Sequence, residues 1–407
     1  MLQVHNLTVK FLSGKVENEA VKKISFDLKE NKILGIVGES GSGKSVTSLA
    51  VLGLLPKNTI QEGTIFFDEK NLLKISDKEF QQVRGNKIAM IFQEPMSSLN
   101  PTLTCGSQVA EVLKQHTGLN KKEMYQEVIS LFQKVKLPLP DRIFNSYPHQ
   151  ISGGQKQRVM IAIAIACKPD LLIADEPTTA LDVTVQKEII LLLKELQKEN
   201  KMSILLISHD LSLVSEIADD VIILFKGEIV EKGNTTDIFH SPQHDYTKGL
   251  INSKPNLNQR LKKLPTVEDF IKNKIFTNVY TKRERDAYHS KSYGLKPLLE
   301  IVDLKKYFNT SVGFTRKPLI KAVDTISFKL YEGETLGLVG ESGCGKTTLG
   351  RSIMQLEKVT SGKIFYKGKD ITHLSKTALR NLRKEIQIIF QDPFSSLNPR
   401  ISIGNAI

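Results

Sequence analysis

The chain has 407 residues, of which 40% are hydrophobic and 25% charged, and this composition excludes collagen-like, disulfide-scaffold and wholly disordered classes. Its three cysteines are too few and too scattered for a disulfide framework, so a reducing compartment is expected. The formal net charge of +13 suggests an anionic partner, which could be nucleic acid, a lipid surface or a phosphorylated ligand.

A long internal repeat organises the chain. The octapeptide GESGSGKS at residues 38–45 returns as GESGCGKT at 340–347, and FQEPMSSLNP at 92–101 returns as FQDPFSSLNP at 390–399. This period is far too long for a solenoid and indicates a duplicated domain. We expect a complete first domain over residues 1–250, a basic linker over 251–297 and the N-terminal part of a second domain over 298–407.

Apolar runs alternate with helical stretches in the first domain, which predicts a mostly parallel α/β sheet covered by helices. Residues 33–37, 171–174 and 204–207 are each expected to form a buried strand that ends at polar residues. Functional groups should therefore gather at the carboxyl ends of the strands, where open α/β sheets bind ligands.

The first of these strands leads into a phosphate-binding loop of the form GxxxxGK[ST], followed by a predicted helix over residues 46–55. The glycines let the backbone curl so that successive N–H groups point at phosphate oxygens, and the helix N-terminus adds positive potential. Lys44 is expected to bridge the β- and γ-phosphates, and the Ser45 hydroxyl to coordinate Mg²⁺. The predicted nucleotide-binding residues are Gly38, Ser40, Gly41, Ser42, Gly43, Lys44 and Ser45.

Two acidic residues follow the apolar run 171–174. An Asp-Glu pair at a buried strand end suits nucleotide hydrolysis, because one acid can hold Mg²⁺ while the other orients and deprotonates the attacking water. We assign the first role to Asp175 and the second to Glu176.

A second glycine-rich turn, ISGGQ at residues 151–155, opens an amphipathic segment that reaches Cys167. A serine and two glycines at a helix N-terminus form another anion site. Here the sequence resembles the ATP-binding cassette (ABC) ATPases, whose signature motif is LSGGQ. The resemblance implies a P-loop fold with a helical subdomain. It also implies a head-to-tail dimer in which the signature residues of one domain close over the ATP of the opposite domain. These signature residues are Ser152, Gly153, Gly154 and Gln155.

The family resemblance also implies roles for four further residues. Gln93 would begin the Gln loop that senses Mg²⁺ and the attacking water, and Asp182 would belong to the D-loop that crosses the dimer interface. His209 would be the switch histidine at the γ-phosphate. Phe11 would stack on the adenine, although an aromatic residue near a strand is often a packing residue instead.

The second copy repeats only the early motifs. Its predicted nucleotide-binding residues are Gly340, Gly343, Gly345, Lys346, Thr347 and Gln391, and no signature, Asp-Glu strand or switch histidine follows them. Three explanations remain open: the chain is part of a longer tandem protein, which we favour; another polypeptide supplies the missing half; or the first domains of two chains pair.

The stretches FQEPMSSLNP, YPHQISGG (147–154) and SPQHDYTKGL (241–250) resemble the oligopeptide, dipeptide and nickel importer subfamily. That resemblance implies an ATPase that powers import, with peptides as the expected substrate. The longest uncharged apolar runs are too short to cross a bilayer, so a separate integral-membrane permease is expected as the partner. The expected location is the cytoplasmic face of the inner membrane, with indirect dependence on an extracytoplasmic solute-binding protein.

Two other function classes share some of these features. A soluble tandem ABC ATPase that acts on ribosomes or nucleic acid would also have duplicated domains and a basic balance. The importer-type Gln loop and tail argue against it, and we expect no nucleic-acid partner. A module that binds ATP without hydrolysing it is disfavoured because Glu176 and His209 are both present.

Overall fold

A computed structural model describes residues 1–13, 16–93, 98–179, 181–253, 260–272, 274, 278–308, 319–341, 343–390 and 396–406. It divides into two compact units, Met1–Val279 and Tyr280–Ile407, and each is described by itself.

The first unit begins with an antiparallel sheet of four strands. The strands are β1 (Leu2–Ser13), β2 (Val16–Leu28), β4 (Thr59–Phe67) and β5 (Lys70–Asn71), in the spatial order β2-β1-β4-β5. Antiparallel pairing of β1 with β2 and with β4 gives this sheet its register. The expectation of a mostly parallel sheet did not anticipate this layer.

A second sheet of six strands carries the predicted apolar runs. Its order is β10-β9-β3-β8-β7-β6, and all neighbouring pairs are parallel except β9 with β10. The strands are β3 (Ile33–Val37), β6 (Ile88–Ile91), β7 (Leu171–Asp175), β8 (Ser203–Ser208), β9 (Asp220–Phe225) and β10 (Glu228–Asn234). The three sequence-predicted strands are β3, β7 and β8, which lie side by side in the middle of this sheet.

Eleven α-helices are described in the first unit. They are α1 (Lys44–Val51), α2 (Asp77–Val83), α3 (Cys105–His116), α4 (Lys121–Lys134), α5 (Pro140–Phe144), α6 (Gly153–Ile165), α7 (Val183–Asn200), α8 (Leu211–Ile217), α9 (Thr235–His240), α10 (Asp245–Asn252) and α11 (Val267–Ile271). Helix α1 begins two residues earlier than predicted and ends four residues earlier. Helices α3, α4 and α5 pack on one another and form a helical subdomain.

The six-stranded sheet is covered on both faces, which explains why its central strands are continuously apolar. Alternate side chains of β3 enter different cores: Ile33 and Val37 face the core shared with α3, α4, α6 and α7, while Leu34 and Ile36 face the core shared with the antiparallel sheet. The carboxyl ends of β3, β7 and β8 are thereby fixed at one edge of a rigid sheet.

The second unit repeats the antiparallel sheet, with β11 (Leu299–Phe308), β12 (Ile320–Leu330), β13 (Ser361–Tyr366) and β14 (Lys369–Asp370) in the order β12-β11-β13-β14. Its described helices are α12 (Lys282–Tyr293), α13 (Lys346–Ile353), α14 (Lys376–Glu385) and α15 (Ile403–Ala406).

The second unit leaves the counterparts of β3 and β6 outside any sheet. Residues 334–340 form no strand, and Val339 is 93% exposed where its counterpart Val37 is fully buried. Likewise Ile389 is 98% exposed, whereas Ile91 is buried. In the first unit these positions pair with β7, β8 and β9, and no such pairing is described for their counterparts among the described residues of the second unit.

The stretch predicted as a linker, 251–297, contains ordered elements. Helix α11 packs against α10, and an isolated bridge joins Leu261 to Val279, so the first compact unit extends to Val279. No helix in the described part of the chain has both the length and the apolar character needed to cross a bilayer.

Candidate functional site

The predicted phosphate-binding loop connects the buried strand β3 to helix α1. Gly43 caps α1 with a left-handed φ of 101°, and Gly41 has a φ of 80°, so glycine is required at both turns. A Cβ on Gly38 would lie 2.2 Å from the carbonyl oxygen of Leu224 at the end of β9. The loop is therefore packed tightly against the sheet edge and can accept side chains at few positions.

Lys44 is the buried cation of this loop, with 4% of its surface exposed. Its Nζ donates hydrogen bonds to the carbonyl oxygens of Gly38 at 2.8 Å and Glu39 at 2.7 Å. Burial lowers the pKa of Lys44, while the nearby carboxylates of Glu176 and Asp175 oppose that shift. A desolvated ammonium with exchangeable carbonyl partners is well prepared to bind phosphate oxygens.

Ser45 and Asp175 meet at the floor of the loop. The Ser45 hydroxyl donates to Asp175 Oδ1 at 3.1 Å, which joins the start of α1 to the end of β7. Asp175 is buried, and burial raises its pKa despite the hydrogen bond from Ser45. A hydroxyl and a carboxylate side by side are the hard oxygen ligands that Mg²⁺ prefers, so these two residues fit the Mg²⁺ of a bound MgATP substrate.

Glu176 lies at the centre of a polar cluster. Its Oε2 accepts hydrogen bonds from Gln93 Nε2 and from Thr179 Oγ1, both at 3.0 Å, and His209 Nδ1 lies 3.1 Å from the same oxygen. The Glu176 side chain is 12% exposed and that of His209 is 59% exposed. The structure thus brings together three residues that the sequence assigned to catalysis, from the ends of β6, β7 and β8.

The backbone of Glu176 is also constrained. Its φ is 46°, a left-handed conformation that a glutamate rarely adopts, and its N–H donates to the carbonyl of Ile207 on β8 at 2.9 Å. Such strain is typical of functional sites held by a rigid surround. The sequence did not predict Thr179 as a member of this cluster. The one feature that could have indicated it is its position three residues after Glu176.

The predicted signature residues form the start of α6. Ser152 is the N-cap: its Oγ accepts from the Gln155 N–H at 3.3 Å, and Gln155 Oε1 accepts from the Ser152 N–H at 3.0 Å. Gly153 is exposed, and a Cβ on Gly154 would lie 3.0 Å from Val185. The turn therefore presents backbone N–H groups at the surface, which suits an anion delivered by another domain.

Asp182 and Phe11 have local structural roles. Asp182 is the N-cap of α7, where its Oδ1 accepts from the Val185 N–H at 3.0 Å. Phe11 lies on β1, is partly buried and packs against the core around the antiparallel sheet. Its role at the adenine stays a prediction.

The second phosphate-binding loop has the same turn in a more open setting. Gly345 caps α13 with a φ of 101°, Gly343 has a φ of 80°, and Lys346 Nζ donates to the carbonyls of Gly340 and Glu341, both at 2.6 Å. Gly340 and Thr347 are exposed. The predicted Gln391 lies outside the described residues.

Comparison with known families gives two matches. The family described as "ABC transporter" matches residues 21–179 and 323–406, more than half of the chain and one segment in each unit. The family described as "Oligopeptide/dipeptide transporter, C-terminal region" matches residues 230–273, which include α10 and α11.

The chain is also similar to individual proteins whose names indicate an ATP-binding subunit of an importer. The chain is 42% identical over 420 residues to the glutathione import ATP-binding protein GsiA of Shigella boydii serotype 4, and 42% identical over 421 residues to GsiA of Escherichia coli K12. In both cases the whole of this chain is covered but only 66% of the relative.

The chain also resembles solved structures of ATP-binding cassettes. A dimeric ATP-binding cassette, MJ0796, in a post-hydrolysis state with ADP and Pi, matches at 30% identity with a TM-score of 0.53, covering 58% of this chain and 99% of that one. The protein cbiO1 from Clostridium perfringens matches at 28% identity with a TM-score of 0.51, over 59% of this chain and 90% of that one.

Proposed function

Because the chain belongs to the ABC transporter family and carries the oligopeptide/dipeptide transporter C-terminal region, we propose that it hydrolyses ATP to power import through a separate permease. The observation that carries the proposal is the cluster of Gln93, Thr179 and His209 around Glu176 Oε2, at the same sheet edge as the Lys44 loop. In this arrangement a loop that can bind phosphate lies beside Glu176, a carboxylate that can act as the base.

In the proposed reaction the loop at residues 38–45 binds the phosphates of MgATP. Backbone N–H groups and the N-terminus of α1 provide positive potential, and Lys44 exchanges its two carbonyl partners for phosphate oxygens. Ser45 and Asp175 hold the Mg²⁺ of the substrate, which neutralises phosphate charge.

Hydrolysis requires a base beside the γ-phosphate. Glu176 would accept the proton of the attacking water, and its carboxylate is already oriented by Gln93 and Thr179. His209, whose side chain is largely exposed, would contact the γ-phosphate and so link the nucleotide state to the Glu176 cluster.

The exposed signature turn would close over ATP held by an opposing cassette, with Asp182 at the same interface. We propose that strands equivalent to β7, β8 and β9 cover the exposed Val339 and Ile389.

Peptides are the proposed substrate class. The support is the C-terminal region match and the relatives named for import of glutathione, which is itself a peptide. The permease would dock on the helical subdomain, where the exposed Leu103 and Tyr147 lie near the hydrogen bond between the Cys105 N–H and the Ser146 carbonyl. Docking places the chain on the cytoplasmic face of the inner membrane, and an extracytoplasmic solute-binding protein would deliver the substrate to the permease.

Transport in reconstituted vesicles tests the proposal. The chain and its permease should accumulate labelled di- and tripeptides in an ATP-dependent manner, and Glu176→Gln should abolish uptake while leaving ATP binding intact. Glu195→Gln, at a surface ion pair with Lys136, is the matched control and should transport normally. ATP-dependent uptake that survives Glu176→Gln, or co-sedimentation with ribosomes in place of membranes, would contradict the proposal.

A further inference from the structure

The C-terminal region reaches the phosphate-binding loop through one side chain, Tyr246. Helix α10 is capped at its N-terminus by His244, whose Nδ1 accepts from the Tyr246 N–H at 3.1 Å. Tyr246 is fully buried, and its ring packs on Phe225 at the end of β9 with the ring centroids 4.2 Å apart. The ring therefore has a fixed position against the sheet edge that carries the loop.

The Tyr246 hydroxyl accepts a hydrogen bond from the Glu39 N–H at 2.9 Å. Glu39 is the second residue of the loop, and its carbonyl accepts from Lys44 Nζ at 2.7 Å and from the Ser42 N–H at 3.2 Å. The Tyr246 hydroxyl thus anchors Glu39, whose carbonyl binds Lys44 and closes the turn of the loop.

The anchor is not easily replaced by solvent. Tyr246 has no exposed surface, and burial raises its pKa to about 12, so the group is a neutral hydroxyl at every physiological pH. Without it the Glu39 N–H would lose this partly buried hydrogen bond, and the loss of a backbone donor's partner is costly. Leu224, the residue before Phe225, lies against Gly38 at the start of the loop. The start of the loop is therefore held both by Leu224 and by Tyr246.

Helix α10 is itself held by α11. A Cβ on Gly249 would lie 3.0 Å from Val267 Cγ1 and 3.3 Å from Phe270 Cβ, so the two helices are in close contact at this glycine. The position of Tyr246 therefore depends on the packing of the helix pair.

We propose that Tyr246 is a positioning residue for the first nucleotide site, and that the helix pair α10 and α11 sets the ATP affinity of that site through the Glu39 backbone. The inference rests on the proposed binding of ATP at the loop. It assigns the C-terminal region a function in nucleotide binding in addition to marking the subfamily.

Tyr246→Phe tests the hydrogen bond alone, because it keeps the ring and its packing. Tyr125→Phe is the matched control: the Tyr125 hydroxyl donates to Asp141 Oδ1 at 2.6 Å in the helical subdomain, away from the loop. With the full chain, we expect Tyr246→Phe to raise the KM for ATP roughly fivefold at unchanged kcat, as the loss of one hydrogen bond predicts. The control should leave both constants unchanged.

Hydrogen–deuterium exchange gives a second readout that a merely structural role would not move. Amide exchange in the peptide spanning residues 39–45 should accelerate in Tyr246→Phe and stay at the wild-type rate in Tyr125→Phe. Gly249→Ala should raise the KM in the same direction by displacing α10.

The outcomes separate this inference from the proposed function. Wild-type KM and loop exchange in Tyr246→Phe, with any loss confined to melting temperature, would overturn the positioning role. A wild-type chain that fails to bind ATP would instead overturn the proposed function.

Discussion

Replacing Lys44 with methionine separates nucleotide binding from folding. Methionine keeps the length and apolar stem of lysine but removes the ammonium that donates to the Gly38 and Glu39 carbonyls. The N–H groups of that ammonium would turn to phosphate oxygens, so the substitution should remove a charged contact between Lys44 and ATP.

The expected changes in ATP affinity and in the free energy of unfolding can be estimated separately. Hydrogen bonds to a charged group contribute about 1.5–3 kcal/mol, so ATP affinity should fall roughly ten- to a hundredfold. The free energy of unfolding should change by only about 1 kcal/mol, because the two carbonyls lose a partner while the desolvation that lowers the Lys44 pKa is relieved.

Displacement of a fluorescent ATP analogue and thermal unfolding of the full chain measure these two quantities. Lys32→Met is the control, since Lys32 is an exposed lysine paired with Asp219. An affinity equal to that of the control, or an affinity loss matched by general unfolding, would refute the argument.

Three further outcomes follow from other parts of the structure. As the proposed Mg²⁺ ligand, Asp175 would act in its carboxylate form, and burial raises its pKa. The affinity for MgATP should therefore fall as the pH drops through a value above the ordinary aspartate range, and titration of Asp175→Asn should show no such step. Ser152→Ala should lower the free energy of unfolding by about 1 kcal/mol through loss of the α6 cap, measured by denaturant unfolding, with an unchanged midpoint as the contrary result. Val37→Ala should destabilise the first unit by about 1–3 kcal/mol whereas Val339→Ala should change stability by less than about 0.5 kcal/mol, and equal effects in calorimetry would mean that the exposed face is covered.

The parts of the site predicted from sequence are those encoded locally. The strand at 33–37, its glycine-rich turn and the following helix are consecutive in the chain, and apolar runs such as 171–174 identify buried parallel strands by themselves. The expectation that strand ends meet at one sheet edge placed Asp175, Glu176 and His209 together correctly.

The features that were missed depend on contacts between distant residues or on alternating polarity. The antiparallel sheet was not anticipated because its strands alternate polar and apolar residues and register shifts interrupt that alternation, which makes them less conspicuous than continuous apolar runs. The bond between Tyr246 and Glu39 spans most of the first unit, so the sequence marked the tail as a family feature without showing what it touches. The order in residues 260–272 was hidden by a basic composition typical of linkers.

The central claim is that the first cassette is an ATPase with Glu176 as its base. The most direct measurement is ATP binding and single-turnover hydrolysis by the full chain and its Glu176→Gln variant. We predict that the variant binds ATP with wild-type affinity and hydrolyses it at least 100-fold more slowly, in line with the contribution of a positioned general base. Hydrolysis by the variant at the wild-type rate would contradict the assignment of Glu176 and the mechanism built on it.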